Sequence, residues 1–389
     1  MNKTNALARL SLSATLLALF VVVLGAFVRL SDAGLGCPDW PVCYGHLSWP
    51  TAEEHIEAAN LAFPERPVEV HKAWKEQVHR FAAALLGILV LAMALVANWW
   101  NGIRRNLLIL SAGMAATGIV AYVNGLAVLA GLLSAASVIV PLLAAIFWRN
   151  DWRSKYTAGL LGLIIFQAML GLWTVTLLVK PIIVTAHLLG GMATFTLLWL
   201  FWLRNRGGLK LNQDDALIGL RRFTVLALVI VVIQVFLGGW TSTNYAALAC
   251  PDFPTCQDEW VPHMQWSEGF RLWRGLGIDY EGGVLDNTAR VAIHWTHRVG
   301  ALIVLLLVGL LVFRARKAGS ERDARLRLLG SAVGVFLIAQ ILLGISVVKY
   351  GLPLWLAVAH NGGAALLLAS IVTLAYALWP RNEAEPGND

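Results

Sequence analysis

The sequence predicts an all-α polytopic membrane protein: two tandem four-helix bundles in parallel pseudo-repeat, with an extra helical hairpin in the N-terminal half. Three observations predict it. Of 389 residues, 58% are hydrophobic and only 14% charged, and the mean hydropathy is +0.68; a soluble domain carries about 25% charged residues. Ten apolar runs reach or approach the ~20 residues needed to cross a bilayer. Finally, a set of polar motifs occurs twice, in the same order.

The runs are 10–30, 77–98, 106–123, 126–147, 157–179, 181–203, 221–242, 291–313, 327–349 and 354–378. The first is too long for a signal-peptide core and lacks a small-residue cleavage site, so it reads as a retained helix. The third and fourth are separated only by Asn124-Gly125. They form the expected hairpin 106–147; one long or re-entrant segment, giving eight or nine spans, is the alternative. Several tryptophans (Trp99, Trp100, Trp148, Trp152, Trp379) stand near the ends of runs, as interface anchors do.

Charge sets the expected orientation. Lys3, Arg9, Arg104, Arg105, Arg149, Arg153, Lys155, Arg204, Arg206, Lys210, Arg221, Arg222, Arg314, Arg316, Lys317, Arg322, Arg325, Arg327 and Arg381 all fall in loops on the N-terminal side. The positive-inside rule puts both termini in the cytoplasm and the long loops 31–75 and 243–289 outside. This bias accounts for the net charge of +7, so no nucleic-acid partner is implied. The lipid bilayer is the expected partner surface.

The duplication begins in the outer loops. Cys37-Pro38-Asp39-Trp40-Pro41-Val42-Cys43 recurs as Cys250-Pro251-Asp252-Phe253-Pro254-Thr255-Cys256. In an oxidising compartment each pair can close a small loop. Local pairing is favoured because each pair recurs intact within its own half; free thiols and inter-loop bridges are the alternatives. Glu76-Gln77-Val78-His79-Arg80 is echoed by His294-Trp295-Thr296-His297-Arg298, and Gln167…His187 by Gln340…His360. His79 and His187 stand 108 residues apart, His297 and His360 only 63; the hairpin 106–147 supplies the difference. The expected halves are 1–210 and 211–389.

His79 is expected just inside a helix descending from the outer face, and His187 six residues into the next, roughly 9 Å deep at 1.5 Å per residue. A lone intramembrane histidine is commonly a satisfied polar group. Four in a repeated pattern point to function, because ionisable groups in membrane helices are expensive. Paired imidazoles suit haem iron, whereas zinc would call for further Cys or carboxylate ligands. Arg80 and Arg298 fit either snorkelling to the interface or pairing with a haem propionate. Arg29 is an anchor or a propionate partner, with Ser242 at its place in the second half. Glu76, one turn outward of His79 on the same helical face, has His294 as its counterpart. It is either a carboxylate favoured by a helix start or a catalytic group. Gln167 and Gln340 can simply bond between helices.

Taken together, Gly25-Ala26-Phe27-Val28-Arg29-Leu30, the two cysteine pairs, Glu76-Gln77-Val78-His79-Arg80, Ala186-His187, His297-Arg298 and Ala359-His360-Asn361 resemble the haem A synthase family of bacteria and mitochondria, over nearly the whole chain. The resemblance implies an oxidoreductase of a multi-pass inner membrane that converts the C8 methyl of haem O to a formyl group by successive hydroxylations with oxygen from water. It implies a haem b cofactor on His297 and His360 with Arg298 at a propionate. It places the substrate haem by His79, His187, Arg80 and Arg29, and gives Glu76 the catalytic role. Haem O synthase and cytochrome oxidase assembly factors are the implied protein partners. The outer cysteines would shape a lid or exchange electrons. The hairpin 106–147 departs from the family's eight-helix pattern. A di-haem electron-transfer cytochrome and a haem transporter are the rival readings; the lone Glu76 argues against the first, and histidines near one face rather than mid-membrane against the second.

Overall fold

A computed structural model describes residues 3–149, 151–207, 209, 211, 217–321 and 323–379. Of the basic residues used for orientation, Lys210, Arg322 and Arg381 lie outside the described residues. The described residues form twelve helices: α1 Lys3–Leu30, α2 Glu53–Ala62, α3 Val70–Ala97, α4 Gly102–Val123, α5 Ala127–Phe147, α6 Trp152–Thr176, α7 Pro181–Arg206, α8 Ile218–Thr243, α9 Trp266–Gly269, α10 Asn287–Glu321, α11 Ala324–Lys349 and α12 Leu354–Leu378. No strand occurs among them, only single bridges at Cys43–His46 and Cys256–Glu259. Ten helices, all but α2 and α9, are long and apolar enough to span a bilayer. The chain is a multi-pass membrane protein of the all-α class. Large apolar side chains such as Leu16, Phe20, Leu132, Ile146, Leu306 and Val335 are exposed on these helices, as lipid-facing positions require.

The run 106–147 is two helices. Asn101 caps α4 by accepting from the Arg104 amide, and Gly125 closes the turn at φ +74°, a conformation glycine adopts without steric penalty. Inside the hairpin the Ser111 hydroxyl donates to the Ser137 carbonyl at 2.6 Å. Asp151 caps α6 through the Ser154 amide.

The chain divides into two compact units, Met1–Trp202 with Leu272–Val284, and Leu203–Arg271 with Leu285–Asp389. In the first unit α1 packs on α3 and α3 on α6, with α4 against α3 and α5 against α6. The hairpin therefore flanks the α3–α6 contact without separating it: Leu142 of α5 fills the space beside Gly162 of α6. Helix α7 meets α6, where the Gln167 amide occupies the space beside Gly190, and α1, where Val22 faces Gly191. In the second unit α8, α10, α11 and α12 close a ring, each touching the next and α12 returning to α8. The Leu211 amide donates to the Ala377 carbonyl at 3.0 Å, and Arg221 Nε to that of Leu378 at 2.6 Å.

Two expectations shift. Helices α3 and α10 begin at Val70 and Asn287, several residues outward of the apolar runs. His79 is therefore nine residues inside α3, not at its start. The first outer loop also contains the helix α2, whose exposed glutamates left no apolar signal.

Candidate functional site

Each outer loop is a disulfide-closed turn docked on a helix. Cys37 pairs with Cys43 and Cys250 with Cys256, and among the described residues no cysteine is free. The aspartate in each motif is what shapes the turn. Asp39 accepts from the amides of Tyr44 (2.6 Å) and Gly45 (2.7 Å), and Asp252 from those of Gln257 (2.6 Å) and Asp258 (3.1 Å). All four of these residues have positive φ, so the carboxylate holds a backbone conformation that most side chains disfavour. The Thr255 hydroxyl adds a 2.5 Å bond to Asp252. That hydroxyl, with the two amides, holds the Asp252 carboxyl at about 2.

Arginines one turn beyond the Glu76 and His294 positions bind these loops. Arg80 donates to the carbonyls of Asp39 (2.8 Å), Val42 (2.6 Å) and Cys37 (3.3 Å), and Arg298 to those of Thr255 (2.7 Å) and Cys250 (2.6 Å). Besides these loop carbonyls, Arg80 binds Glu76 and Arg298 binds His294.

Glu76 and His294 occupy equivalent positions under the loops. The Glu76 carboxylate accepts from the Cys37 amide at 2.9 Å and from Arg80 at 2.6 Å, and is 5% exposed. His294 accepts from Arg298 Nε at 3.2 Å and lies 3.4 Å from the Cys250 amide. A carboxylate can accept from both donors, but a neutral imidazole has one acceptor nitrogen. The first unit thus holds a carboxylate beside its arginine where the second holds an imidazole. Glu76 stands six residues into α3, beyond the first turn where the helix dipole acts, so a helix-start role does not explain it.

The structure brings the histidines together in pairs, one pair per unit. His79 on α3 and His187 on α7 belong to the first unit, and His297 on α10 and His360 on α12 to the second. All four rest their Cε1 edge on a glycine of a neighbouring helix. A methyl at Gly25 would come within 2.9 Å of His79 Cε1, at Gly171 within 3.6 Å of His187, at Gly238 within 3.1 Å of His297, and at Gly344 within 3.0 Å of His360. Four glycine seats fix where the rings stand. The Nδ1 atoms of His79, His187 and His360 are buried without a hydrogen-bond partner.

Two histidines carry a glutamine. Gln234 Nε2 donates to the His297 carbonyl at 2.8 Å and lies 3.0 Å from Nδ1 of the same ring. Gln340 Nε2 is 3.3 Å from His360 Nε2. The amides of Gln167, Gln234 and Gln340 fill the spaces beside Gly190, Gly300 and Gly363, each three residues after a histidine. The sequence reading missed Gln234, although the spacing His-x-x-Gly at 187, 297 and 360 was there to find it. His79 breaks the pattern, with Ala82 at that place.

This donor set fits a planar macrocycle with two axial imidazoles. Among the described residues no group of three or more His, Cys, Asp or Glu side chains could hold a metal ion. Arg29 stands one turn outward of Gly25, its guanidinium 3.3 Å from Asp32. A cavity of about 180 Å³ at the outer end of the first unit is lined by Gly36, Tyr44, Glu65, Arg66, Glu69 and Glu281; three carboxylates make it a poor seat for an anionic macrocycle, and it is not the histidine site.

A family model described as cytochrome oxidase assembly protein matches residues 8–128 and 125–372. The chain is 38% identical to the heme A synthase of Shewanella oneidensis over 97% of both chains. It is 26% identical to the heme A synthase of Methylobacterium radiotolerans over 92% of this chain and 85% of that one, and 24% identical to that of Rhizorhabdus wittichii over 97% and 95%. The duplicated histidine pairs, the docked cysteine loops and this end-to-end similarity agree: the chain belongs to the cytochrome oxidase assembly protein family of the heme A synthases.

Proposed function

We propose that the chain is a haem A synthase that oxidises the C8 methyl of haem O to the formyl group of haem A. The observation that carries the reading is Glu76: the first histidine site has a buried carboxylate where the second has His294. A di-haem electron-transfer protein has no use for that difference, and a haem transporter none for fixed histidine pairs near one face. In this reading the protein is two parallel four-helix repeats, residues 1–210 taking the substrate and 211–389 the cofactor. The hairpin 106–147 is an insertion on the outside of the first.

His297 and His360 would hold a haem b, which supplies the one-electron redox chemistry; Gln234 and Gln340 orient their rings. His79 and His187 would hold haem O, with Arg29 toward its propionate edge. Each hydroxylation adds the oxygen of one water and releases two electrons and two protons. Two rounds give the hydrated aldehyde, which loses water to the formyl group, and four electrons pass to an external acceptor. Glu76 takes a proton from the attacking water or stabilises positive charge developing at the methyl carbon. Arg80 acts through Glu76 and the Cys37–Cys43 loop, and that loop covers the site as a lid. The setting is a bacterial inner membrane, termini cytoplasmic and cysteine loops periplasmic, where disulfides persist. Haem O synthase and oxidase assembly factors are the protein partners in the same reading.

Pigment extraction from the purified protein tests this. Haem A or a hydroxylated haem O beside haem b is expected. Two equivalents of haem b and no oxidised haem O, from cells supplied with haem O, would establish the electron-transfer reading instead.

A further inference from the structure

The second outer loop sends residues 272–284 into the first unit. This strap is fastened by ion pairs: Arg66 binds Asp279 and Glu281, and Lys72 binds Glu281 at 3.2 Å. Its Tyr280 amide donates to the Leu178 carbonyl at 3.2 Å. The Tyr280 ring is 3% exposed and packs with Leu35, Val175, Val179 and Val184. Val184 precedes His187 by nearly one turn of α7, so the strap plugs the outer end of the His187 site.

Two buried polar groups at the strap lack a full set of hydrogen-bond partners in the protein itself. Lys180, just before α7, is 2% exposed. Its ammonium donates to the Gly275 carbonyl and lies 3.8 Å from the centre of the Trp273 ring. Among the described residues no carboxylate pairs with it, and burial lowers its pKa. An ammonium has three donors, and one carbonyl uses one of them. The second group is the Tyr280 hydroxyl, buried without a hydrogen-bond partner, on a ring centred 5.8 Å from the same ammonium. Leaving such groups buried and unanswered is costly, more so for the charge than for the hydroxyl.

Position says what the answering group is. Lys180 precedes His187 by seven residues, two turns outward along nearly the same helical line, or about 10 Å at 1.5 Å per residue. Helical side chains lean toward the N-terminus, here the outer end, which brings the His187 ring closer to the lysine. That separation suits a macrocycle edge carrying an acid side chain. The second half has Pro353 at this place, so the cation belongs to the first unit alone. We propose that Lys180, with the Tyr280 hydroxyl, is a carboxylate-binding site that anchors a propionate of the tetrapyrrole held by His79 and His187. The inference rests on the substrate reading of the first unit. It makes the strap part of the substrate site: a residue of the second outer loop completes the pocket of the first unit.

The test uses purified full-length protein titrated with iron protoporphyrin IX and with its dimethyl ester, followed by visible absorbance. The parent is expected to prefer the free acid in a His187-dependent phase. Lys180→Met should bind the acid roughly tenfold more weakly, the size of one charge-assisted hydrogen bond, and leave the ester unchanged. Lys180→Arg should restore the preference, and Tyr280→Phe should lose part of it. Should Lys180→Met fail to fold, Tyr280→Phe and Lys180→Gln carry the same comparison. An unchanged acid-to-ester ratio in folded variants, with binding still dependent on His187, overturns the lysine assignment and leaves the substrate reading intact. Uptake indifferent to His187→Ala overturns both.

Discussion

Replacing Glu76 by Gln separates two roles that the structure superimposes on one carboxylate. Structurally, Glu76 ties the Cys37 loop to α3 through the Cys37 amide and pairs with Arg80. Removing one partner of a buried ion pair costs about 3–5 kcal/mol. Glutamine loses far less, because its carbonyl oxygen still accepts from Cys37 and Arg80 keeps the carbonyls of Asp39, Val42 and Cys37. About 1–2 kcal/mol is then expected, the scale of a weakened hydrogen bond. Catalytically, the amide has neither charge nor basicity, and loss of a positioned acid–base group slows a reaction about 100-fold or more. Glu76→Gln should therefore fold, keep its haem b spectrum, and accumulate haem O or a hydroxylated intermediate. Glu76→His is the sharper control, since the second unit shows that an imidazole fits under such a loop; it should fold and make no haem A. Extracted pigments report activity and thermal unfolding reports the tie. Haem A formed at the parent rate by Glu76→Gln would reduce Glu76 to a structural link, and a fall in haem A that merely tracks lost stability would do the same.

Three further outcomes are expected. His297→Ala and His360→Ala should each abolish the low-spin haem b spectrum; full retention in both would remove the cofactor from the second unit. A cysteine at Asn124, in the α4–α5 turn, should react with an impermeant thiol reagent from the outer face; labelling only after the inner face is opened would reverse the hairpin. Acid should loosen the second cysteine turn: Asp252 is held at about 2 against an ordinary value of 3.8, so its contribution is present above about pH 4 and is lost as pH falls through about 2. The protection of the Gln257 and Asp258 amides, relative to their intrinsic exchange rates, should fall over that window and be low at neutral pH in Asp252→Asn, whereas protection unchanged down to pH 2 would count against the carboxylate's hold on the turn.

What the sequence made legible followed from strong, local signals. Ten spans were readable because hydropathy is cumulative over a helix, and the hairpin turn because Asn-Gly interrupts an apolar run. The extensions of α3 and α10 were not, since His71, Lys72 and Lys75 carry α3 beyond the apolar core and hydropathy stops where they begin. The histidines stood out as rare polar residues on apolar helices. Their glycine seats did not, because a glycine's partner lies on another helix and leaves no mark in the chain. The strap was equally hidden: Lys180 and Tyr280 are 100 residues apart in the sequence, and only the fold joins them.

The departures from duplication gather on the face of α1 and α3 that meets His79. Counting from the shared glycine seats, Val21 stands where the second unit has Gln234, and from the shared histidines, Ala82 where it has Gly300, and Glu76 where it has His294. The first two changes belong together, since the Gln234 amide needs the space that Gly300 leaves. Their effect is that His297 has an amide against its ring and carbonyl, whereas His79 Nδ1 has no partner. An amide packed against a ring limits how the ring can turn. A pair with a glutamine amide against each ring suits a group that stays, and a pair in which neither ring has one suits a group that must leave as product. The same helix that carries the extra carboxylate thus carries the looser histidine, which ties the chemistry of the first unit to the exchange its product demands.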